Sequence, residues 1–335
     1  MQTKWFDLSE DNFDVFGIDS EFHRLPSHFA ETISKGVFEN SRCPAGGRVR
    51  FSTDSANIYI RAVMKYTRGI GFDLYSLKNG SEIFVAGFRN PECFICDGEF
   101  ETSTFVSKDG KFHSYTLNFP YFGEIKSFKL GIDEGAQLKK GEKYINEKPV
   151  AFYGSSITHG AWTSRPGCTY ISMISQKYNL NYLNFGFAGS AKGETPLIEY
   201  ISNLDIGAFV SDYDHNAYDI QLLKDTHLNM YKTVRKFKPN IPYIIITRPD
   251  YWKDPENNDK RNKIIFATYE FAKKNGDEKV YYIDGKTLFE GEYYRNCTKD
   301  GCHPNDIGAY RMANRIGSVV AEAMGIDKIS NHDIF

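Results

Sequence analysis

The sequence predicts two architectures in series: an antiparallel β-sandwich of jelly-roll type over residues 1–145, then a three-layer α/β/α domain built on a parallel sheet over 149–326. Three observations carry this. Before residue 145, short runs alternate apolar and polar residues with period two. After residue 148, apolar runs alternate with longer helical patterns, the rhythm of βαβ units. Between the halves, Lys139-Lys140-Gly141-Glu142-Lys143 is polar enough to read as the linker. Residues 327–335 are expected as a C-terminal tail.

In the first half the strand-like runs are Arg48–Phe51, Asn57–Arg61, Phe72–Tyr75, Ile83–Ala86, Ser103–Val106, His113–Leu117 and Ser127–Ile132. Asn79-Gly80 and Asp109-Gly110 supply turn chemistry between them. In the second half the strands read as 149–153, 182–187, 206–212, 242–247 and 279–284. Helices are expected near 168–178, 195–203, 218–237 and 257–275. Within the third of these, Ile220, Leu223, Met230, Val234 and Phe237 recur at helical spacing, and Pro239 ends the run. A last helix runs from Asn305 to Met324, with Gly325 placed to stop it.

Composition narrows the function classes. Of 335 residues, 41% are apolar and 25% charged, which suits an ordinary globular protein. The formal net charge is −2, so bulk electrostatics offers nothing to nucleic acid or to a membrane surface. The first residues lack the apolar core of a secretory signal and no run approaches a membrane span; a cytoplasmic location is expected. In that setting Cys43, Cys93, Cys96, Cys168, Cys297 and Cys302 are expected as free thiols. Cys93-Phe94-Ile95-Cys96 has metal-knuckle spacing, but no second pair accompanies it.

Open parallel sheets bind ligands beyond the carboxyl ends of their strands. After the first strand come Gly154-Ser155-Ser156. After the second come Gly186-Phe187-Ala188-Gly189, and after the third Asp212-Tyr213-Asp214-His215-Asn216. Beyond the last lies Asp300-Gly301-Cys302-His303. A hydroxyl, a glycine N–H, a carboxamide and an Asp/His pair thus share one rim, and acyl transfer needs those parts. Singly each has an ordinary reading: Ser156 as a helix cap, Gly189 as a turn glycine, Asn216 as a loop residue. The set carries the functional one. His159 and His215 flank the motifs and could line the cleft, with a plain surface role the expectation for both. Arg165 and Arg248 could bind substrate or form salt bridges.

These blocks resemble the SGNH, or GDSL-type, hydrolases. The likeness rests on Ser156 in Gly154-Ser155-Ser156-Ile157-Thr158, Gly189, Asn216, and Asp300 with His303. Ser155 stands where the family often has Asp. Gly71-Phe72-Asp73-Leu74-Tyr75 is similar to the Gly-x-Asp-Leu-Tyr motif of a β-domain that precedes some such esterases. Ser164-Arg165-Pro166-Gly167 resembles bacterial carbohydrate-deacetylating members, including acetylxylan esterases.

The resemblance implies Ser156 as nucleophile, His303 as base and Asp300 as its orienting carboxylate, without cofactor or metal. It implies an oxyanion hole from the N–H groups of Ser156 and Gly189 with the Asn216 amide, and adds the dipole of a helix after Ser156. The expected substrate is a small acylated, chiefly acetylated, carbohydrate. A general short-chain esterase, lipase or thioesterase is the alternative within enzymes, and a catalytically silent carbohydrate-binding protein the alternative outside them. Aromatic residues, 15% of the chain, are expected mainly in the sandwich core, with some on a sugar-facing wall or in a homo-oligomer interface.

Overall fold

The computed structural model describes residues 2–68, 71–78, 81–88 and 95–326. The Asn79-Gly80 turn, Cys93 and the expected tail lie outside these residues.

The first part of the chain builds two antiparallel sheets. Its strands are β1 (Thr3–Asp7), β2 (Asp14–Phe16), β3 (Arg48–Thr53), β4 (Asn57–Arg68), β5 (Phe72–Lys78), β6 (Ser81–Phe88), β7 (Ile95–Phe105), β8 (His113–Asn118), β9 (Glu124–Asp133) and β10 (Leu138–Lys140). One sheet has the order β1-β9-β4-β7, the other β10-β3-β8-β5-β6, with β2 on the side of β3. Their inner faces enclose Phe51, Ile60, Phe72, Leu74, Leu117, Phe119, Leu130 and other fully buried side chains. Each such side chain contributes roughly 1.5–3 kcal/mol on leaving water. Two helices, α1 (Ser27–Ile33) and α2 (Lys35–Ser41), interrupt the strands before β3. The expected linker needs correction: Lys139 and Lys140 belong to β10, an edge strand whose register pairs them with Ser52 and Phe51.

The second part is a parallel sheet of order β12-β11-β13-β14-β15. These strands are β11 (Val150–Gly154), β12 (Tyr182–Gly186), β13 (Ala208–Asp212), β14 (Tyr243–Ile246) and β15 (Val280–Ile283). Helices α4 (Tyr170–Tyr178), α5 (Thr195–Asn203), α6 (Ile220–Phe237), α7 (Pro255–Lys274) and α8 (Asp306–Met324) cover it. Every residue of β11, β13 and β14 is buried, as expected of strands covered on both faces. Core clusters lie on each face of the sheet. Helix starts follow local chemistry: Asp219 caps α6 through Leu222 N–H at 2.7 Å, and Asn305 caps α8 through Ile307 and Gly308.

β12 is an edge strand, and the first part of the chain covers that edge. Its outward carbonyls belong to alternate residues, and each accepts from a buried arginine. Arg48 Nη1 donates to Tyr182 O at 3.2 Å. Arg24 Nη1 donates to Asn184 O at 2.9 Å and to Gly186 O at 2.7 Å. Arg48 also donates to Asn181 Oδ1, and Arg50 to Asn179 Oδ1, just before the strand. Arg24 completes its fork on Cys43 O and Asn40 O. Burial pushes its guanidinium down to about 10.

Candidate active site

Ser156 follows β11 at the head of α3 (Ser156–His159), a single helical turn. The helix expected after Ser156 is present but only one turn long, so its dipole is small. The segment from Gly160 onward turns away, and the next long helix is α4. As the first residue of the turn, Ser156 has an N–H with no partner inside the helix. Ser155 does the local work of a carboxylate: its hydroxyl accepts Ile157 N–H at 3.2 Å.

Backbone hydrogen bonds tie the blocks together. Ser155 N–H donates to Asp212 O at 3.1 Å, and Phe187 N–H to Gly154 O at 2.9 Å. Asn216 Nδ2 donates to Phe187 O at 2.8 Å, which fixes the buried carboxamide against the loop of Gly189. The second Nδ2 hydrogen remains for a ligand. Gly189 is exposed and has φ +72°, a conformation that favours glycine. Gly186 is required for another reason: a Cβ there would lie 2.2 Å from the His159 backbone nitrogen.

The loop before α8 supplies the remaining groups. Ser156 Oγ lies 2.9 Å from His303 Nε2, and His303 Nδ1 lies 2.7 Å from Asp300 Oδ2. Asp300 Oδ1 accepts the N–H groups of Cys302 and His303 at 2.9 and 2.8 Å. Burial opposes the ionised carboxyl, but these bonds and the imidazole hold it down to about 2. An ionised Asp300 on Nδ1 keeps a proton there and leaves Nε2 facing the serine as an acceptor. Ser156, His303 and Asp300 thus form one hydrogen-bonded chain, and Asn216 is tied to the loop of Gly189.

Trp162 was not singled out by sequence. It is 48% exposed, and its ring centroid lies 6.1 Å from that of His303. Its backbone is held at φ +74°, and Lys299 Nζ sits 4.7 Å over the ring. A left-handed tryptophan beside a reactive pair is strain retained at a cleft. Its only sequence signal was proximity to Ser156. Tyr218, two residues past Asn216, is 72% exposed with Lys192 Nζ 5.4 Å over its ring.

The histidines flanking the motifs correct the surface expectation. His159 is fully buried, with Nε2–H donated to Tyr121 O and the ring stacked on Phe122 at 4.4 Å. Burial, then Arg24, pushes its imidazole well below the usual range. The His215 side chain is 8% exposed and pairs with Asp250 at 2.9 Å. Arg165 and Arg248 are both in ion pairs, 3.4 Å from Asp73 and 3.6 Å from Asp214.

The two short motifs meet in space. Asp73 Oδ2 accepts Gly167 N–H at 2.8 Å, and Tyr75 OH accepts from Arg165 Nε at 3.3 Å. The Arg165 guanidinium also lies 3.9 Å from the centre of the Phe84 ring. Tyr121 OH donates to Thr163 O at 2.6 Å. The β-sandwich thus holds the segment after Ser156, as Arg24 holds the strand end before Gly189.

Comparisons with known proteins agree with this arrangement. No curated protein sequence matches the chain. Residues 3–138 match the model of the GxDLY domain, the N-terminus of SGNH-hydrolase-type esterases. Among solved structures, a candidate GDSL-like lipase from Bacteroides ovatus superposes with a TM-score of 0.86 at 24% identity, covering 98% of this chain and 99% of that one. A salicylyl-acyltransferase from a tetracycline biosynthetic pathway gives 0.76 at 17%, with 96% and 97% covered. An acetyl xylan esterase from the rumen bacterium Butyrivibrio proteoclasticus gives 0.63 at 14%, with 96% and 99% covered. At these identities the likeness establishes the fold, end to end across both parts of the chain. Residues 147–321, more than half of the chain, match the model of the GDSL-like lipase/acylhydrolase family, so the chain belongs to that family and is a carboxylic ester hydrolase.

Proposed function

We propose that this hydrolase removes small acyl groups, chiefly acetyl, from saccharides through an acyl-enzyme on Ser156. The observation that carries the reading is the unbroken chain from Ser156 Oγ through His303 to Asp300, at 2.9 and 2.7 Å. His303 Nε2 takes the hydroxyl proton as Oγ attacks the ester carbonyl, then returns it to the departing sugar oxygen. Asp300 orients the ring and stabilises the imidazolium. The N–H groups of Ser156 and Gly189 and the free Asn216 hydrogen receive the oxyanion, each donor contributing roughly 3 kcal/mol at the transition state. Water deacylates the serine by the same route.

The saccharide is supported by the rim. Trp162 and Tyr218 offer exposed rings, each with a lysine ammonium over one face, which suit a ligand with apolar C–H faces and hydroxyl edges. An acetyl xylan esterase shares the fold. The test is acetate release from a panel of acetylated saccharides, with Ser156→Ala expected to lose at least about 10³-fold in kcat. Cleavage of acyl-thioesters or lysophospholipids without acetate release would overturn the substrate. Full activity in Ser156→Ala would overturn the site.

A further inference from the structure

We propose that His215, Asp250 and Cys302 form a site for a zinc-class divalent ion beside the Ser156–His303 pair. The three come from different places: His215 from the turn after β13, Asp250 from the segment between β14 and α7, Cys302 from the loop before α8. They nevertheless converge. A ring nitrogen, a carboxylate oxygen and the thiol sulfur all lie within 4.8 Å of one another.

A His–Asp ion pair alone accounts for only part of this. His215 Nε2 meets Asp250 Oδ1 at 2.9 Å, and the two side chains are 8% and 5% exposed. Yet His215 Nδ1 is buried without a hydrogen-bond partner. Buried ring nitrogens are normally satisfied, and the Cys302 thiol that also faces this ring is a weak hydrogen-bond partner.

The donor set selects the ion. One nitrogen, one sulfur and one oxygen suit Zn²⁺, and three protein ligands leave the fourth tetrahedral position to water. With bond lengths near 2.0–2.3 Å, tetrahedral donors stand about 3.5 Å apart. Closing from 4.8 Å takes about an ångström, within reach of a partly exposed Cys302 side chain. The charges balance: carboxylate and thiolate together offset the ion, and the thiol proton leaves to solvent along with the proton shared by His215 and Asp250. Arg248, near Asp250 in sequence, shares Asp214 with Arg261, at 3.6 and 2.7 Å, so part of its positive charge remains and weakens the binding of the ion.

Occupancy would act on the neighbouring chemistry. Cys302 lies between Asp300 and His303, and its N–H donates to Asp300 Oδ1 at 2.9 Å. Drawing its sulfur toward the ion pulls on that bond and displaces the imidazole from Ser156, so the bound ion inhibits the esterase.

The experiment uses the full chain stripped of metal by chelator, with Co²⁺ as the spectroscopic probe and Zn²⁺ as the inhibitor. Expected are one equivalent of bound Co²⁺, a thiolate-to-cobalt charge-transfer band, and displacement by Zn²⁺. Cys302→Ser should lose the band, and Asp250→Asn should weaken binding at least tenfold, with both variants checked by thermal melting. Zn²⁺ should inhibit the wild type in a chromogenic acetate assay and spare Cys302→Ser. No charge-transfer band in the wild type, or equal Co²⁺ affinity in both folded variants, overturns the site. The spectroscopic readout does not depend on turnover, so it stands apart from the fate of the esterase reading.

Discussion

Arg24→Met tests whether the β-sandwich sets the geometry of the hydrolytic site. Arg24 reaches across to β12, and its donors fall on the carbonyls of Cys43, Asn40, Asn184 and Gly186 at 2.6–2.9 Å. Met keeps most of the length and volume, so the cavity left behind is small. Four carbonyls lose the guanidinium as a donor, and Asn40 O keeps the N–H of Cys43. Net hydrogen-bond values already include desolvation of the donor, and at about 1 kcal/mol each the loss is about 4 kcal/mol. For a chain of this size that corresponds to a melting temperature lower by roughly 6 °C. Gly186 begins the loop that carries Gly189, so relaxation there misplaces an oxyanion donor. Measured at 20 °C, kcat should fall about tenfold while KM stays within twofold. Arg24→Lys should recover part of both losses, because a single ammonium cannot reach four carbonyls. A variant that melts within 2 °C of the wild type refutes the bonding account. One that loses stability but keeps its kcat refutes the link to the oxyanion loop.

Three further outcomes are expected. Asn216→Ala should lower kcat by about 10²–10³ with little change in KM, and cost about 1 kcal/mol of stability because the buried bond from Nδ2 to Phe187 O is lost; an equal effect on KM would count against an oxyanion role. Burial raises the fully buried Asp73 carboxyl to about 7, against the pull of Gly167 N–H, Asn118 and Arg165. A carboxyl raised above its unfolded value stabilises fully below about pH 4 and loses that contribution as pH rises through 7. Calorimetric stability of Asp73→Asn relative to wild type should therefore improve by on the order of 4 kcal/mol from pH 4 to 8; a constant difference would sink the idea. Trp162→Ala should raise KM for acetylated oligosaccharides about tenfold and leave kcat within threefold, whereas an unchanged KM would remove Trp162 from the binding surface.

Much of the fold was legible because its signals are local. Period-two runs located seven strands of the sandwich, and the alternation of apolar runs with helical patterns located all five parallel strands to within a residue or two. Asp300 and His303 were readable because three residues of spacing lets one carboxylate cap the loop and hold the ring. What stayed hidden depends on contacts across the two parts of the chain. β1, β2 and β10 are short edge strands without enough alternation to register, and α1 and α2 span two turns each. His159 looked like a surface residue because nothing near it in sequence announces Tyr121 and Phe122 as its cover. Gly-Phe-Asp-Leu-Tyr and Ser-Arg-Pro-Gly were each recognisable, but their contact through Asp73 and Gly167 is a tertiary fact separated by 94 residues. Arg24 carried no pattern at all.

The guanidinium groups along β12 bear on self-association. An edge strand displays a row of unpaired backbone groups and can template a strand from another molecule. Here the outward carbonyls of Tyr182, Asn184 and Gly186 are taken by Arg48 and Arg24. If the hydrolase half is produced alone, from residue 147 onward, that row is bare, and the edge is free to recruit a second copy. Such a fragment should appear as aggregate rather than as an inactive monomer. The sandwich thus works as a built-in solubility guard for the sheet beside it, which makes the two halves unsuited to being exchanged or inherited separately.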